Sequence, residues 1–183
     1  MSSILLHCCC GPCATYTVKS LREQSFEVNA LWYNPNIHPF TEHQRRLESM
    51  QALANFSKFP LISPDEYCMI EYFRSVVGHE EKRCEDCYYI RLNKTAEIAR
   101  ENGFADFTTT LLISPYQNQE LIEEVGKHAA RKNGVAFFFQ DFRDGFKESQ
   151  QTAKDLNLYK QKYCGCIYSE WERYAKVKIG NEV

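Results

Sequence analysis

Long hydrophobic runs are missing from this sequence: no segment approaches the roughly 20 apolar residues of a membrane-spanning helix. Glycine and proline are sparse, eight and six in 183 residues, and no tract is biased, so fibrous and low-complexity classes are excluded. Excess charge is missing too. A net charge of −2 is not that of a protein held to nucleic acid by overall basicity. The local basic clusters Arg45-Arg46, Lys82-Arg83, Arg131-Lys132 and residues 160–162 read as solvated faces. The apolar start is only a few residues long, carries no basic flank and runs straight into cysteines, which is not a secretory signal. The protein reads as cytoplasmic, with residues 1–183 forming a single α/β domain.

Cysteine, by contrast, is plentiful. Nine are present, an odd number, and in a reducing compartment they argue for metal or redox chemistry over a disulfide scaffold. Four lie in the stretch around which the chain is organised, Ile4-Leu5-Leu6-His7-Cys8-Cys9-Cys10-Gly11-Pro12-Cys13. Ile4, Leu5 and Leu6 read as a buried strand and residues 14–23 as the helix that follows. In an α/β sheet, ligands sit in the crevice beyond the C-terminal ends of the strands. Thiols placed there are positioned to bind or react. The alternative is a run of small apolar residues finishing a strand.

Further strands are expected over residues 28–33, 58–62, 107–113 and 135–139. The second ends in the loop Asn34-Pro35-Asn36-Ile37-His38-Pro39. Thr41 with Gln44 resembles a capping box, opening a helix that buries Leu47, Met50 and Ala54. Ser63-Pro64-Asp65-Glu66 reads as the start of a helix carrying Cys68 on an apolar face. A longer helix from Cys84 to about residue 101 stops at Gly103, and another to about residue 132 stops at Gly134. Two last helices flank Tyr163-Cys164-Gly165-Cys166. Strands alternating with helices imply parallel crossovers. The expected fold is α/β: a Rossmann-like three-layer sandwich with a mostly parallel sheet of about five strands, a helical excursion around residues 68–87 and C-terminal helices.

Cys84 and Cys87 form a Cys-x2-Cys pair at a helix N-terminus, where the dipole and the cations Lys82 and Arg83 lower a thiol pKa. Alone, the pair fits zinc, an iron–sulfur cluster or a redox dithiol. With Cys9 and Cys10 it completes four thiolates for tetrahedral zinc or a four-iron cluster. Directly adjacent cysteines are expected to point apart, which suits the corners of a cubane better than one zinc ion. Cys164-Gly165-Cys166 is different. A disulfide in so small a ring is strained and easily reduced, the behaviour of a redox pair, and the glycine supplies the backbone freedom. Metal ligation or ordinary burial are the other readings. Cys68 reads as core, Cys13 as facing the same site as its neighbours, and His7 as a satisfied core histidine.

Together these residues resemble the epoxyqueuosine reductase QueH family. The likeness rests on the vicinal cysteines with Gly-Pro-Cys, the Asn-Pro-Asn-Ile-His-Pro loop, Arg83-Cys84 to Cys87-Tyr88 with Arg91-Leu92, residues 109–118, and residues 159–169. The family is similar in fold to the adenine-nucleotide α-hydrolase-like (HUP) group, whose first loop binds nucleotide phosphates. Thiols replace that loop here, so no ATP is expected. The resemblance implies reduction of epoxyqueuosine to queuosine at the wobble position of tRNA. It implies a 4Fe-4S cluster held by Cys9, Cys10, Cys84 and Cys87, and a redox-active pair, Cys164 and Cys166, with an electron donor as a further partner. Epoxide removal takes two electrons and two protons. An additional metal ion, an iron beside the cluster held among Cys8, Cys13, Cys164, Cys166 and Asp141, could stabilise the departing oxygen. Otherwise Tyr163, His38 or Asp141 would donate the proton. Trp32, Tyr33, Tyr116, Tyr159 and Tyr163 are candidates to stack the extruded base. The rival readings are a zinc-stabilised RNA-binding module, a thiol–disulfide oxidoreductase, and a tRNA thiolase. The last would need a Ser-Gly-Gly-type phosphate loop that the sequence lacks.

Overall fold

In a computed structural model describing residues 2–64 and 67–179, five strands form one all-parallel sheet in the order β3-β2-β1-β4-β5. The strands are β1 (Ser2–His7), β2 (Phe26–Leu31), β3 (Leu61–Ile62), β4 (Asp106–Thr109) and β5 (Ala136–Phe137). The helices are α1 (Gly11–Glu23), α2 (Phe40–Ser57), α3 (Met69–Val76), α4 (Arg83–Glu101), α5 (Gln119–Asn133), α6 (Phe146–Asp155) and α7 (Ile167–Ala175). This is the expected α/β architecture, excursion and C-terminal helices included. Among the described residues, no helix is long and apolar enough to cross a membrane.

β1 is the central strand. Leu5 lies opposite Asn29 of β2 on one side and Phe107 of β4 on the other, and Ile4, Leu5 and Leu6 are wholly buried. Such a strand reads as a continuous apolar run because both its faces are covered. Crossovers from β1 build outward through β2 and β3; the chain then returns to β4 on the opposite side. The direction therefore switches at the C-terminal end of β1, where open α/β sheets place their ligands. Cys8, Cys9 and Cys10 follow there at once.

Several boundaries differ from expectation, each for a local reason. β4 ends at Thr109, not residue 113, because the Thr109 hydroxyl accepts from the Leu111 amide at 3.2 Å and starts a 3-10 turn over Thr110–Ile113. α2 begins at Phe40 after Pro39 with no side-chain cap bond, so the Thr41 capping box does not form. The expected helix start at Asp65 and Glu66 lies outside the described residues, and α3 begins at Met69 with Cys68 at its cap. Gly134 stops α5 as anticipated, at φ +71°, a conformation that favours glycine.

The inner face of α2 departs furthest from a simple apolar stripe. It buries Met50 and Ala54, as expected, leaves Leu47 half-buried, and also buries Leu53, Glu42, His43 and Arg46. His43 Nε2 accepts from Trp32 Nε1 at 3.0 Å. Burial, reinforced by the Arg46 charge, holds its pKa down at about 4. Between pH 6.5 and 4 the unfolded chain takes up a proton that the folded chain refuses, so stability falls as pH drops through that window. His43→Gln should flatten the stability–pH curve there by up to about 1.4 kcal/mol per pH unit. Urea midpoints measured across the window check this, and an unchanged slope would mean that His43 charges in the folded state.

Candidate metal and redox site

The first sulfur group forms where β1 turns into α1. Cys10 is the N-cap of α1, with extended backbone (φ −171°), and its sulfur accepts from the Cys13 amide at 3.4 Å. The Cys9 amide donates to Thr110 Oγ1 at 3.1 Å, and that hydroxyl lies 3.3 Å from Cys9 Sγ. Cys9 and Cys10 sulfurs are 3.9 Å apart, and with Cys13 all three sulfurs lie within 4.8 Å of one another. The adjacent cysteines thus converge instead of pointing apart, because the turn from extended cap to helix folds Cys13 back beneath them. Their separation matches the roughly 3.8 Å edge of a tetrahedron with 2.3 Å metal–sulfur bonds.

Electrostatics distinguish the three. Hydrogen bonds from Cys10, Cys13 and Thr110 hold the Cys9 thiol well below its ordinary pKa, while burial pushes Cys10 up. One thiolate shared among three sulfurs is a cation-seeking arrangement. Gln161 Nε2 donates to Cys10 Sγ at 3.0 Å, bringing the segment before the last helix onto the group. Cys8 is not part of it: its sulfur is buried against Leu6 O at 3.5 Å, and burial raises its pKa.

The second group lies at the start of α4. Cys84 is exposed, and Cys87 is buried beside Cys166, Tyr72 and Val76. Cys166 caps α7, its sulfur accepting from the Ser169 amide at 3.4 Å. Cys164 stands at the mouth, with Gln117 Nε2 at 3.5 Å. The expected drop in the pKa of Cys84 and Cys87 does not occur. Desolvation pushes both up, the neighbouring thiols oppose a second negative charge, and the cations Arg83 and Arg91 only partly offset this.

Arg91 joins the two groups. It is 2% exposed, and it donates from Nε to Cys87 O at 2.9 Å and from a terminal nitrogen to Cys87 Sγ at 3.1 Å. Its charge is stabilised by Cys87, Cys164 and Cys9, so the guanidinium acts on sulfurs of α4, of the last loop and of the turn after β1. Among the described residues no carboxylate pairs with it.

Cys164 and Cys166 are held from beneath. Arg46, read from sequence as part of a solvated cluster, is 1% exposed. Its Nε meets Glu42 Oε1 at 2.7 Å, and its terminal nitrogens donate to Cys164 O at 2.9 Å and Tyr163 O at 3.1 Å. The His38 amide donates to Gly165 O at 2.8 Å. Gly165 has φ +148°, and a Cβ there would meet Asn36 Nδ2 and Ile37 Cγ1 at 3.2 Å. Backbone geometry and lack of room both call for glycine between the two cysteines.

The other candidates separate clearly. His7 is a satisfied core histidine, as expected, bonded to Thr109 Oγ1 at 2.9 Å and Tyr33 O at 3.1 Å and held neutral by burial, with a pKa of about 4. His38 is neutral for the same reason. Asp141 is tied at the surface to Arg143, which keeps its carboxyl below the ordinary range. The Tyr163 hydroxyl donates to His38 O, and burial raises its pKa to about 12. Trp32 and Tyr33 are core residues, whereas Tyr116 is 85% exposed.

Comparison with known proteins gives this geometry a family. The family model described as "Epoxyqueuosine reductase QueH" matches residues 4–172. The chain belongs to the QueH family. Among similar proteins, "Epoxyqueuosine reductase QueH" of Dehalococcoides mccartyi is 43% identical over 173 residues, covering 94% of this chain and 95% of that protein. Its Thermotoga maritima namesake is 38% identical over 186 residues, covering 96% and 94%. A crystal structure from Methanocaldococcus jannaschii, titled as a predicted subunit of tRNA methyltransferase, superimposes with a TM-score of 0.54 over 84% of this chain and 75% of that one. At 10% identity, that likeness is one of fold.

In this QueH-family chain, sequence reasoning found the thiols and missed what holds them. Arg91 was visible only as part of a motif, and Thr110 only inside a threonine run mistaken for strand. Gln161 carried no signal. Arg46 was detectable in principle, since Glu42 precedes it by four residues on the same helix face. Arg46→Ala would strand Glu42 and the two carbonyls, so it should cost about 3–5 kcal/mol in urea denaturation and speed alkylation of Cys164. Unchanged alkylation would show that Arg46 does not hold that loop.

Proposed function

We propose that this chain is an iron–sulfur epoxyqueuosine reductase, a single α/β domain that removes the epoxide oxygen of epoxyqueuosine at the wobble position of tRNA in the cytoplasm. Family membership supports the reaction. The observation that carries the cofactor is Arg91, a buried guanidinium hydrogen-bonded to a cysteine sulfur with no carboxylate partner among the described residues. A buried cation is tolerable only when compensated. Thiolates around a cluster would supply that compensation.

The residues fit such a group. The charges of Cys9 and Cys87 both act on Arg91, Cys10 lies beside Cys9, and Cys84 and Cys87 share the first turn of α4. These four would hold a 4Fe-4S cluster, and Cys13, within 4.8 Å of two of them, is the nearest spare ligand for an additional iron. Cys8 and Asp141, turned to the core and to Arg143, drop out of that role. The cluster would supply single electrons at a potential set by the hydrogen bonds and charges around it.

The chain's own residues supply the rest. Cys164 and Cys166, oxidised from dithiol to disulfide, release two electrons and two protons. Cleavage of both epoxide C–O bonds consumes the same and yields alkene and water. An electron donor then restores the dithiol. Arg46, Glu42 and Gly165 keep the pair at the mouth, and Gln117 reaches Cys164 Sγ from the loop before α5.

One observation favours a second reading. The compact trio of Cys9, Cys10 and Cys13 also suits a single zinc ion, as in a zinc-stabilised RNA-binding module. Such a protein, purified anaerobically, would be colourless and free of sulfide. Under the proposed reading, Cys84→Ala should lose most of the brown absorbance and bound iron after reconstitution; full loading would remove Cys84 from the ligand set. The double variant Cys164→Ser, Cys166→Ser should keep its iron and lose turnover on epoxyqueuosine-containing tRNA, by more than about a hundredfold. Loss of iron instead would make these two sulfurs ligands.

A further inference from the structure

A groove of about 480 Å³ lies on the far side of the segment that meets Cys10, lined by Arg45, Tyr159, Lys162, Tyr163, Glu170 and Tyr174. Its size is that of a small-molecule or nucleotide site. One short stretch of chain separates it from the thiols. Gln161 turns its amide to Cys10 Sγ at 3.0 Å, while Tyr159, Lys162 and Tyr163 on either side line the groove. Tyr163 immediately precedes Cys164, whose carbonyl Arg46 holds. The groove and the reacting centre are therefore two faces of one wall.

The lining has a specific chemistry. Two cations, Arg45 and Lys162, are exposed, and neither has a carboxylate within ion-pair distance among the described residues. Three tyrosines offer ring faces. The Arg45 guanidinium lies 6.0 Å from the Tyr159 ring centre, and Arg46 supports the Tyr163 ring from behind at 5.4 Å. The Tyr159 hydroxyl is anchored on Glu42 Oε2 at 2.5 Å, which fixes the ring. On α7, Ile167, Trp171 and Tyr174 recur at helical spacing and are 38%, 50% and 56% exposed, so the helix continues the aromatic surface outward. Aromatic faces interleaved with cations are the means by which proteins hold single-stranded nucleic acid without reading a helix. The one carboxylate, Glu170, leaves the lining with net positive charge and can accept from a ribose hydroxyl or an exocyclic amine.

We propose that this groove binds the unpaired anticodon-loop nucleotides next to the modified base, with Tyr174 and Tyr159 as stacking platforms and Arg45 and Lys162 on the phosphates. The proposal rests on the tRNA reading above and adds where on the chain the RNA lies. It also reconciles a net charge of −2 with an RNA substrate: affinity comes from stacking and two local phosphate contacts, not from a basic field.

The test is fluorescence anisotropy with the anaerobic iron-loaded protein and a labelled anticodon stem-loop RNA, titrated over a range of salt. Tyr174→Ala, at an exposed position that leaves the fold intact, should weaken binding by about tenfold. Lys162→Gln should lower the slope of log affinity against log salt by about 0.7. Lys127→Gln, on the remote helix α5, should change neither. If the wild-type protein does not bind the RNA, the tRNA reading and the groove fall together. If the wild type binds and both groove variants bind as well as it does, with the same salt slope, the groove proposal alone is overturned.

Discussion

A guanidinium buried beside cysteine sulfur, with no carboxylate paired to it among the described residues, is the constraint on which this site depends. Removing an arginine from water costs several kcal/mol unless negative charge accompanies it. Here that charge comes chiefly from sulfur, because Arg91 meets Cys87 directly and senses Cys164 and Cys9. The same cation is sensed by thiols from three distant parts of the chain, Cys9, Cys87 and Cys164. Seven buried or crowded sulfurs would repel one another once ionised, and each desolvated thiol would stay protonated. The fixed positive charge of Arg91 lowers that barrier for Cys84, Cys87 and Cys164.

The second buried arginine works on the backbone instead. Arg46 spends its donors on the carbonyls of Tyr163 and Cys164 and balances its charge on Glu42, which in turn takes the Tyr159 hydroxyl. One buried ion pair thereby fixes both the cysteine-bearing loop and a wall of the aromatic groove. The cysteine pair and the groove share a support, so displacing the loop would displace both.

Much of the fold was legible because parallel strands covered on both faces leave unmistakable apolar runs, and because Gly103 and Gly134 end helices where helices must end. The failures were local contests. Thr109 completes a β-like run by composition, yet its hydroxyl caps the next turn and ends the strand. Cys9 and Cys10 alternate as strand residues would, yet the cap geometry of Cys10 brings their sulfurs together. For the site, residue types exposed the reactive atoms but not their support. Glu42, four residues before Arg46, hints at a partner that Arg45 lacks, but only tertiary contact shows that Arg46 is buried while its neighbour is exposed.

The position of the thiols follows from a property of the fold older than any particular chemistry. A helix that starts just beyond the central strand presents unpaired amides and a positive dipole end to the crevice, which favours any anion placed there. A phosphate satisfies that preference, and so does a thiolate. Cys10 occupies the cap itself, its sulfur receiving the Cys13 amide that would otherwise face a ligand oxygen. With that amide taken and the crevice lined by Cys9, Cys10 and Cys13, the loop offers sulfur, and the one thiolate that Cys9 favours, where a bound anion would otherwise sit. Such a trio suits a cation: it could hold a metal, and Cys9 already acts on the charge of Arg91.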